Sequence, residues 1–597
     1  MTLLDVADAE GAADPLAAAT VCAAFQRTAA RHADRPALRT LDGSLNLTWA
    51  ELAKRVERLA AGLAALGVGH GNTVAIVLPN VPECHVVDFA AVHLGAVPFT
   101  IYNSSTAEQV RHQLDNADAR VVVTQRSFLD KIDAAARGLD CLEHVVVIDG
   151  APGRLSLADV EAGGSEDFDF ESAWQSVDAE DLVTMIYTSG TTGPPKGAQW
   201  AHRTVMAQQR ALDAALPLPS EAVISFLPMA HAGGRITAHY MALAYGACIT
   251  ACPDLKELPA YLAQVRPDAL FAVPRLWEKL QVALEGIADE AGRRALVVGV
   301  ERMKALDGGT DVARERADEL AAEHESALGA LRPALARLGL DRIKAAFVGG
   351  APVAPEVVQF FRAAGVPLLE AYGLTEGSLN VFNRIEEFKT GTAGRPLPGV
   401  ELKLAADGEI LVRGELNFVG YRKEPEKTAE ALDSDGWLHT GDVARVDEDG
   451  YVTIVDRKRE IIINAAGKNM SPANIESAIK GESSLIGQVV CIGDRRRYNT
   501  ALVTLDPEAA PRYAERLGVA AVSLEAIAAA PEIQAEIAGA VERGNQRLAR
   551  VEQIKKFKLL SSAWLPDSDE LTPTLKLKRK PIAAKYAAEI EALYADD

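Results

Sequence analysis

Short apolar, β-branched runs alternate with stretches of helical period from Thr73 to Val348, and no other feature limits the fold so tightly. Thr73–Leu78, residues 97–101, 120–124, 145–148, 185–187, 223–226, 269–272 and 345–348 are each short and nearly free of charge. Runs of this kind are what strands covered on both faces look like. Helices are expected at 16–32, 82–94 and 106–117, and at 47–66, where Thr48 and Glu51 form a capping box and Gly67 and Gly69 stop the chain. Residues 277–338 are charged and helix-prone, as a long surface excursion would be. The alternation predicts an α/β, multi-domain chain whose large N-terminal domain is built of helix-covered mixed or parallel sheets.

The pattern changes after about residue 385. Glu401–Leu404, Glu409–Arg413 and Tyr451–Val455 are short strands between Gly and Asp turns, which predicts a small, mainly antiparallel, β-barrel-like layer. Asp456 to Glu460 is a charged joint, its competing reading being a solvated face of one domain. A helix at 472–480, strands at 488–493 and 500–505 and helices across 511–555 follow. The expected domains are 1–456, with a β subdomain at about 390–455, and a small α+β domain at 457–597. A chain of 597 residues exceeds what one core can hold.

One stretch stands out chemically. Tyr187-Thr-Ser-Gly-Thr-Thr-Gly-Pro-Pro-Lys-Gly197 gathers four hydroxyls (Thr188, Ser189, Thr191, Thr192), glycines including Gly190, and Lys196 in a short loop after an apolar run. Backbone N–H groups, hydroxyls and a mobile ammonium suit a polyphosphate. Gly197 follows Lys196 where a P-loop has Ser or Thr for magnesium, so this is no Walker sequence. Alone, such a loop is more often a flexible surface turn.

Net charge is −21, from 62 basic and 83 acidic residues, which opposes general binding of a phosphate backbone, so no nucleic acid is expected. The six cysteines are scattered and read as buried thiols, and Cys248 and Cys252 lack the second pair of a zinc site. Met1 to Asp14 shows no basic segment before an apolar one, and no apolar run reaches membrane-spanning length. The expectation is a cytoplasmic protein.

Other blocks accompany the loop. Gly349-Gly-Ala-Pro352 and Tyr372-Gly-Leu-Thr-Glu376 each follow a strand-like run, and strand ends are where open α/β sheets bind ligands. Thr440-Gly-Asp442, Asp456-Arg457 and Leu571-Thr-Pro-Thr-Leu-Lys-Leu-Lys-Arg579 come later. In order and spacing these blocks resemble the adenylate-forming (acyl-CoA synthetase, AMP-binding) superfamily, over residues 20 to 585. With Leu227-Pro-Met-Ala-His231 and Phe271-Ala-Val-Pro-Arg-Leu-Trp-Glu-Lys279, they look most like long-chain fatty acyl-CoA synthetases.

The resemblance implies an acid–thiol ligase that joins a fatty acid to AMP and then to CoA, with ATP, Mg²⁺ and CoA as cofactors or co-substrates. It implies that Thr188, Ser189, Gly190, Thr191, Thr192 and Lys196 grip the β/γ-phosphates. Tyr372 and Gly373 would bind adenine beside Gly350 and Ala351, Thr375 would touch the α-phosphate, and Glu376 would hold Mg²⁺. Asp442 would take the ribose hydroxyls with Arg457 nearby, and His231 would lie on the acid's side. Lys576 would reach the reacting carboxylate and bridging oxygens, with Lys578 as the competitor for a shifted register. The small domain would be mobile about Arg459, with the loop around Gly467 lining the thiol's approach. Trp200 reads as core.

After His231 the chain reads Ala-Gly-Gly-Arg235, where many fatty acyl-CoA synthetases carry bulkier residues and an acid. Adenylation domains of carboxylic acid reductases share this Gly-Arg, so the alternatives are delivery to a carrier protein's phosphopantetheine, or ligation of medium-chain or aryl acids. Arg495–Arg497 and Lys576–Lys580 are basic clusters that suit acidic headgroups or the phosphates of CoA. A peripheral contact at the inner membrane face therefore stands open, against ordinary solvated faces; a homodimer stands open as well, with no residue to decide it.

Overall fold

The computed structural model describes residues 14–188, 194–218, 220–465, 468–519, 523–565, 568–572 and 576–595. The leader reading at Met1–Asp14 falls almost wholly outside these residues, as do Ser189, Gly190, Thr191, Thr192 and Gly467.

Three sheets carry the parallel pairing that the alternation predicts. Thr73–Val77 is buried along its whole length, between Val97–Thr100 and Ala119–Thr124, with His144–Val147 and Leu155–Ser156 continuing the sheet in parallel. A second sheet runs Ala269–Ala272, Ala345–Val348 and Leu368–Leu374 in parallel, then turns antiparallel through Ser378–Phe382 and Arg395–Pro396. The third orders Ala222–Ser225, Cys248–Ala251 and Pro36–Arg39 in parallel before the antiparallel Asn46–Thr48. The helix Trp49–Ala65 starts on the expected capping box, Thr48 and Glu51 each bonding the other's backbone N–H. Residues 274–338 form the helices Pro274–Ile287, Glu290–Asp307, Asp311–Leu328 and Arg332–Leu338.

Three expectations need correcting. Leu182–Thr188 does not join a parallel sheet; it forms an antiparallel hairpin with Lys196–Ala201, extended by Gly420–Tyr421. A strand-like run cannot disclose the sense of its partner, and the partner here contains Gly197, which has little strand propensity. Lys196 is thereby the first strand residue after the loop, paired across from Thr188. Glu401–Leu404, Glu409–Arg413, Leu438–Val446 and Val452–Arg457 pair as an open four-stranded antiparallel sheet; among the described residues no barrel closes. Last, helix does not run on to residue 555, because Ile554–Leu560 is a strand parallel to Asn499–Leu505.

That strand completes a three-stranded sheet with Ile486–Ile492, covered by the helices Pro472–Lys480 and Pro531–Gln546. Ile475, Ile486, Val503, Ile533 and Ile537 form its core. Among the described residues no apolar cluster joins residues beyond 460 to those before 456.

Candidate active site

The hairpin Leu368–Leu374/Ser378–Phe382 puts Thr375 and Glu376 at its tip, closed by Ser378 in the left-handed region at φ 55°. Two contacts from distant elements pin that tip. The buried Trp200 indole donates to the Thr375 carbonyl at 2.8 Å, and the Phe418 N–H donates to the Glu376 carbonyl at 2.8 Å. Trp200 is 1% exposed, as a core residue should be, yet its one polar atom orients the site. The Tyr421 hydroxyl donates to Glu376 Oε1 at 2.6 Å, and Lys196 Nζ lies 3.9 Å from the centre of the Tyr421 ring. Carboxylate, phenol and ammonium thus form one stack. Burial lowers the Lys196 pKa, with Glu376 acting against it.

Sequence reasoning missed Tyr421. Its only signal is a glycine–aromatic pair, Gly420-Tyr421, with nothing to say that it adds an edge to the distant hairpin.

Tyr372 lies on the same strand, paired with Val381, and donates to Asp442 Oδ2 at 2.6 Å. Asp442 and Arg457 face each other across the pairing of Leu438–Val446 with Val452–Arg457, and Arg457 Nε reaches Asp442 Oδ1 at 3.2 Å. Gly441 at φ 72° makes the turn that aims Asp442, in a conformation a Cβ disfavours. Burial raises the Asp442 pKa while Arg457 and the Tyr372 hydroxyl pull it down; burial and Asp442 both raise that of Tyr372. Gly350 and Ala351 are exposed just beyond Ala345–Val348, at the end of the sheet where Tyr372 also leaves it. Gly373 has no room for a Cβ, which would meet the Ser378 carbonyl oxygen at 2.3 Å.

Lys576 enters this cleft from the C-terminal part of the chain. Its N–H donates to Thr572 Oγ1 at 3.0 Å, and the Thr572 N–H donates to its carbonyl at 2.8 Å. The side chain is open to solvent at the cleft mouth but walled by protein. That crowding and the Arg457 charge lower its pKa, while Asp442 and Glu376 favour the ammonium. Lys578 instead donates to the Ser568 carbonyl at 2.8 Å.

His231 lies within electrostatic range of Lys576, and burial together with that charge pushes its pKa down to about 4. Its Nδ1 accepts from the Gly233 N–H at 3.0 Å, so the neutral ring carries its proton on Nε2. A Cβ on Gly234 would meet the Pro228 and Leu227 carbonyl oxygens at 2.6 and 2.8 Å, so backbone packing requires glycine there. A Cβ on Gly233 would meet the Phe271 ring at 2.9 Å, a side-chain wall. Phe271, Leu227, Phe226, Thr237 and Ala238 line a small cavity on this side.

The π-helical turn Arg235–Tyr240 behind it is held by a fully buried charge network. Arg235 Nη1 lies 2.8 Å from Asp88 Oδ2, His239 Nε2 lies 3.0 Å from Asp88 Oδ1, and His85 bridges His239 to Ser225 Oγ.

Thr188 ends its strand beside Lys196, and Arg459 is exposed in the turn after Val452–Arg457. Of the basic clusters, Arg579 is turned inward onto Glu476 and Glu460, and Arg496 pairs with Glu591, while Arg495 stays exposed. Among the described residues no helix is long and apolar enough to cross a membrane.

A family model described as AMP-binding enzyme matches residues 25–422, and one described as AMP-binding enzyme C-terminal domain matches residues 459–597. The chain belongs to the AMP-binding enzymes. Among similar members is the putative fatty-acid–CoA ligase fadD11 of Mycobacterium tuberculosis, 47% identical over 458 residues that cover 75% of this chain and 80% of that one. The long-chain-fatty-acid–CoA ligase FadD15 of Mycobacterium bovis is 37% identical over 93% of this chain and 94% of its own. The adenylation domain of a carboxylate reductase from Mycobacterium chelonae shares the AMP-binding enzyme fold, with a TM-score of 0.74 at 24% identity over 97% of this chain and 91% of that one. ATP-bound MatB from Rhodopseudomonas palustris shares it too, with a TM-score of 0.69 at 24% identity over 94% and 98%.

Proposed function

We propose that this AMP-binding enzyme is an ATP-dependent, AMP-forming fatty acid–CoA ligase, acting on long-chain acids as the names of its relatives suggest. The observation that carries the reading is the convergence of Lys196, Glu376, Asp442 and Lys576 on one cleft, from four separate parts of the chain.

In the first half-reaction an acid oxygen attacks the α-phosphorus of ATP, an acyl–phosphate bond forms and pyrophosphate leaves. Two anions must meet, so the barrier is chiefly electrostatic and positive charge at the reacting oxygens lowers it. Lys576 supplies that charge from the cleft mouth, and Lys196 steadies the leaving pyrophosphate together with the Thr188–Thr192 loop. Tyr372 packs on adenine beside Gly350, Ala351 and Gly373. Asp442, kept anionic by Arg457, accepts from the ribose hydroxyls. Thr375 donates to the α-phosphate. His231 is neutral and bears its proton on Nε2, so it orients the acid without adding charge.

A cleft carboxylate suits Mg²⁺, which is commonly held by one or two carboxylates plus substrate phosphates. Glu376 is that carboxylate, already oriented by Tyr421. The bound ion would neutralise phosphate charge as a Lewis acid. In the second half-reaction the CoA sulfur, its proton released to solvent, attacks the acyl carbonyl as the thiolate; a thioester forms and AMP leaves with the electron pair of the broken bond. We assign residues 1–456 to a large domain and 457–597 to a small one that turns about Arg459 between the two steps, bringing the loop around Gly467 to the thiol's path.

The test offers fatty, aryl and branched acids with ATP, Mg²⁺ and CoA, and follows AMP and thioester. The reading requires acid-dependent AMP release with an acyl-CoA product and a preference for long chains. AMP release without thioester, relieved by a phosphopantetheinyl carrier protein, would replace CoA as the acceptor.

A further inference from the structure

Arg275, Glu278 and Lys279 have no role in the cleft chemistry, yet all three face the C-terminal part of the chain. Arg275 pairs with Asp506, and Glu278 pairs with Lys480 at 3.3 Å. Arg275 also reaches Glu278 at 2.7 Å, so Asp506, Arg275, Glu278 and Lys480 form one chain of alternating sign. Lys279 adds a rim pair to Glu508 at 2.7 Å, and Arg547 one to Glu356 at 2.5 Å. We infer that Arg275 and Glu278 are positioning residues: with Asp506 and Lys480 they form an ionic latch that holds the C-terminal part where Lys576 enters the cleft, supporting adenylation and not thioester formation.

The inference rests on the proposed ligase reading and goes beyond it by assigning what stabilises one of the two orientations. Three observations support it. The four inner side chains are only 8–24% exposed, so salt screens them far less than the rim pairs, where Lys279 and Glu508 are 44% and 67% exposed. Their polarity crosses the interface in opposite senses, since the C-terminal part gives the acid Asp506 to one pair and the base Lys480 to the other. A shifted docking would set Lys480 against Arg275 or Asp506 against Glu278, and so be repelled. Finally, no apolar cluster among the described residues spans the two parts. An interface without a shared apolar core is one that can open.

Asp506 also accepts from the Glu508 and Ala509 N–H groups, so its replacement would disturb its own turn. Lys480 is the better probe. Lys480→Glu is compared with wild type for acid-dependent ATP–pyrophosphate exchange, which reads adenylation, and for thioester formation from supplied acyl adenylate and CoA. Exchange should fall about ten-fold or more, with thioester formation unchanged or faster and the melting temperature little moved. Lys480→Arg should keep both activities.

Glu278→Gln, which keeps the side-chain shape, should lower exchange selectively and serves if Lys480→Glu fails to fold. Equal loss of both half-reactions in a normally melting variant, unchanged exchange, or loss of exchange in Lys480→Arg would each overturn the latch. A wild-type enzyme with no acid-dependent exchange would overturn the ligase reading and the latch with it. Exchange that survives every latch variant removes the latch alone.

Discussion

Tyr421 shows how much of the site depends on one atom. Its hydroxyl fixes Glu376 while its ring lies under Lys196, so Tyr421→Phe deletes the first contact and keeps the second. A hydrogen bond to a charged group contributes about 1.5–3 kcal/mol. Tyr421→Phe should therefore slow adenylation by about ten-fold or more with little change in melting, measured by pyrophosphate exchange. The two lysines make a prediction about pH. Burial lowers the pKa of both Lys196 and Lys576, and each acts as an ammonium. Adenylation should thus be complete below the lowered values and decline as pH rises through them, before an ordinary lysine would titrate. A pH profile of exchange that stays flat up to the usual lysine range would contradict this. Gly233 is the residue to probe on the acid side, because its added side chain would run into Phe271 rather than backbone. Gly233→Phe should shift preference toward shorter acids by one or more two-carbon steps in a competition assay, and Gly234 offers no such freedom.

At the scale of elements, the strand Leu368–Leu374 carries Tyr372, proposed to pack on adenine, and leads into the tip with Thr375 and Glu376, and it also holds a buried acid. Glu370 is 8% exposed and accepts from the Gly391 N–H at 3.0 Å. Burial pushes its pKa up to about 8, from an unfolded value of 4.5. The folded state then binds more protons than the unfolded one between these values. This group's contribution to stability is therefore full below about pH 4.5 and is lost as pH rises through about 8. Glu370→Gln should flatten the fall in melting temperature over that window, and a wild-type melting temperature that rises across it would contradict the assignment. The parallel strands were readable from sequence because burial on both faces forces runs such as Thr73–Val77 to be apolar. The hairpin Leu182–Thr188/Lys196–Ala201 was not, since local sequence records burial and not which strand comes alongside. Ile554–Leu560 was missed for a related reason. Its lysines 555, 556 and 558 alternate with apolar residues only loosely, and the alanine-rich helices before it set the expectation.

Over the whole molecule, motif order made the cleft legible, because chemistry restricts which residue types can stand at Lys196, Glu376, Asp442 and Lys576. What supports those residues was not legible. Trp200, Phe418, Tyr421 and the buried Asp88–Arg235–His239 network act through contacts that span tens to hundreds of positions. The same holds for Arg275 and Glu278, whose partners lie some two hundred residues away. The central claim is that one lysine, delivered by the C-terminal part of the chain, serves adenylation alone. Lys576→Ala assayed separately in both half-reactions tests it most directly. Loss of a preorganised charge of this kind costs on the order of a hundred- to a thousand-fold in rate. Acid-dependent pyrophosphate exchange should fall by that factor, while thioester formation from supplied acyl adenylate and CoA stays near wild type. An equal fall in both half-reactions would contradict the account.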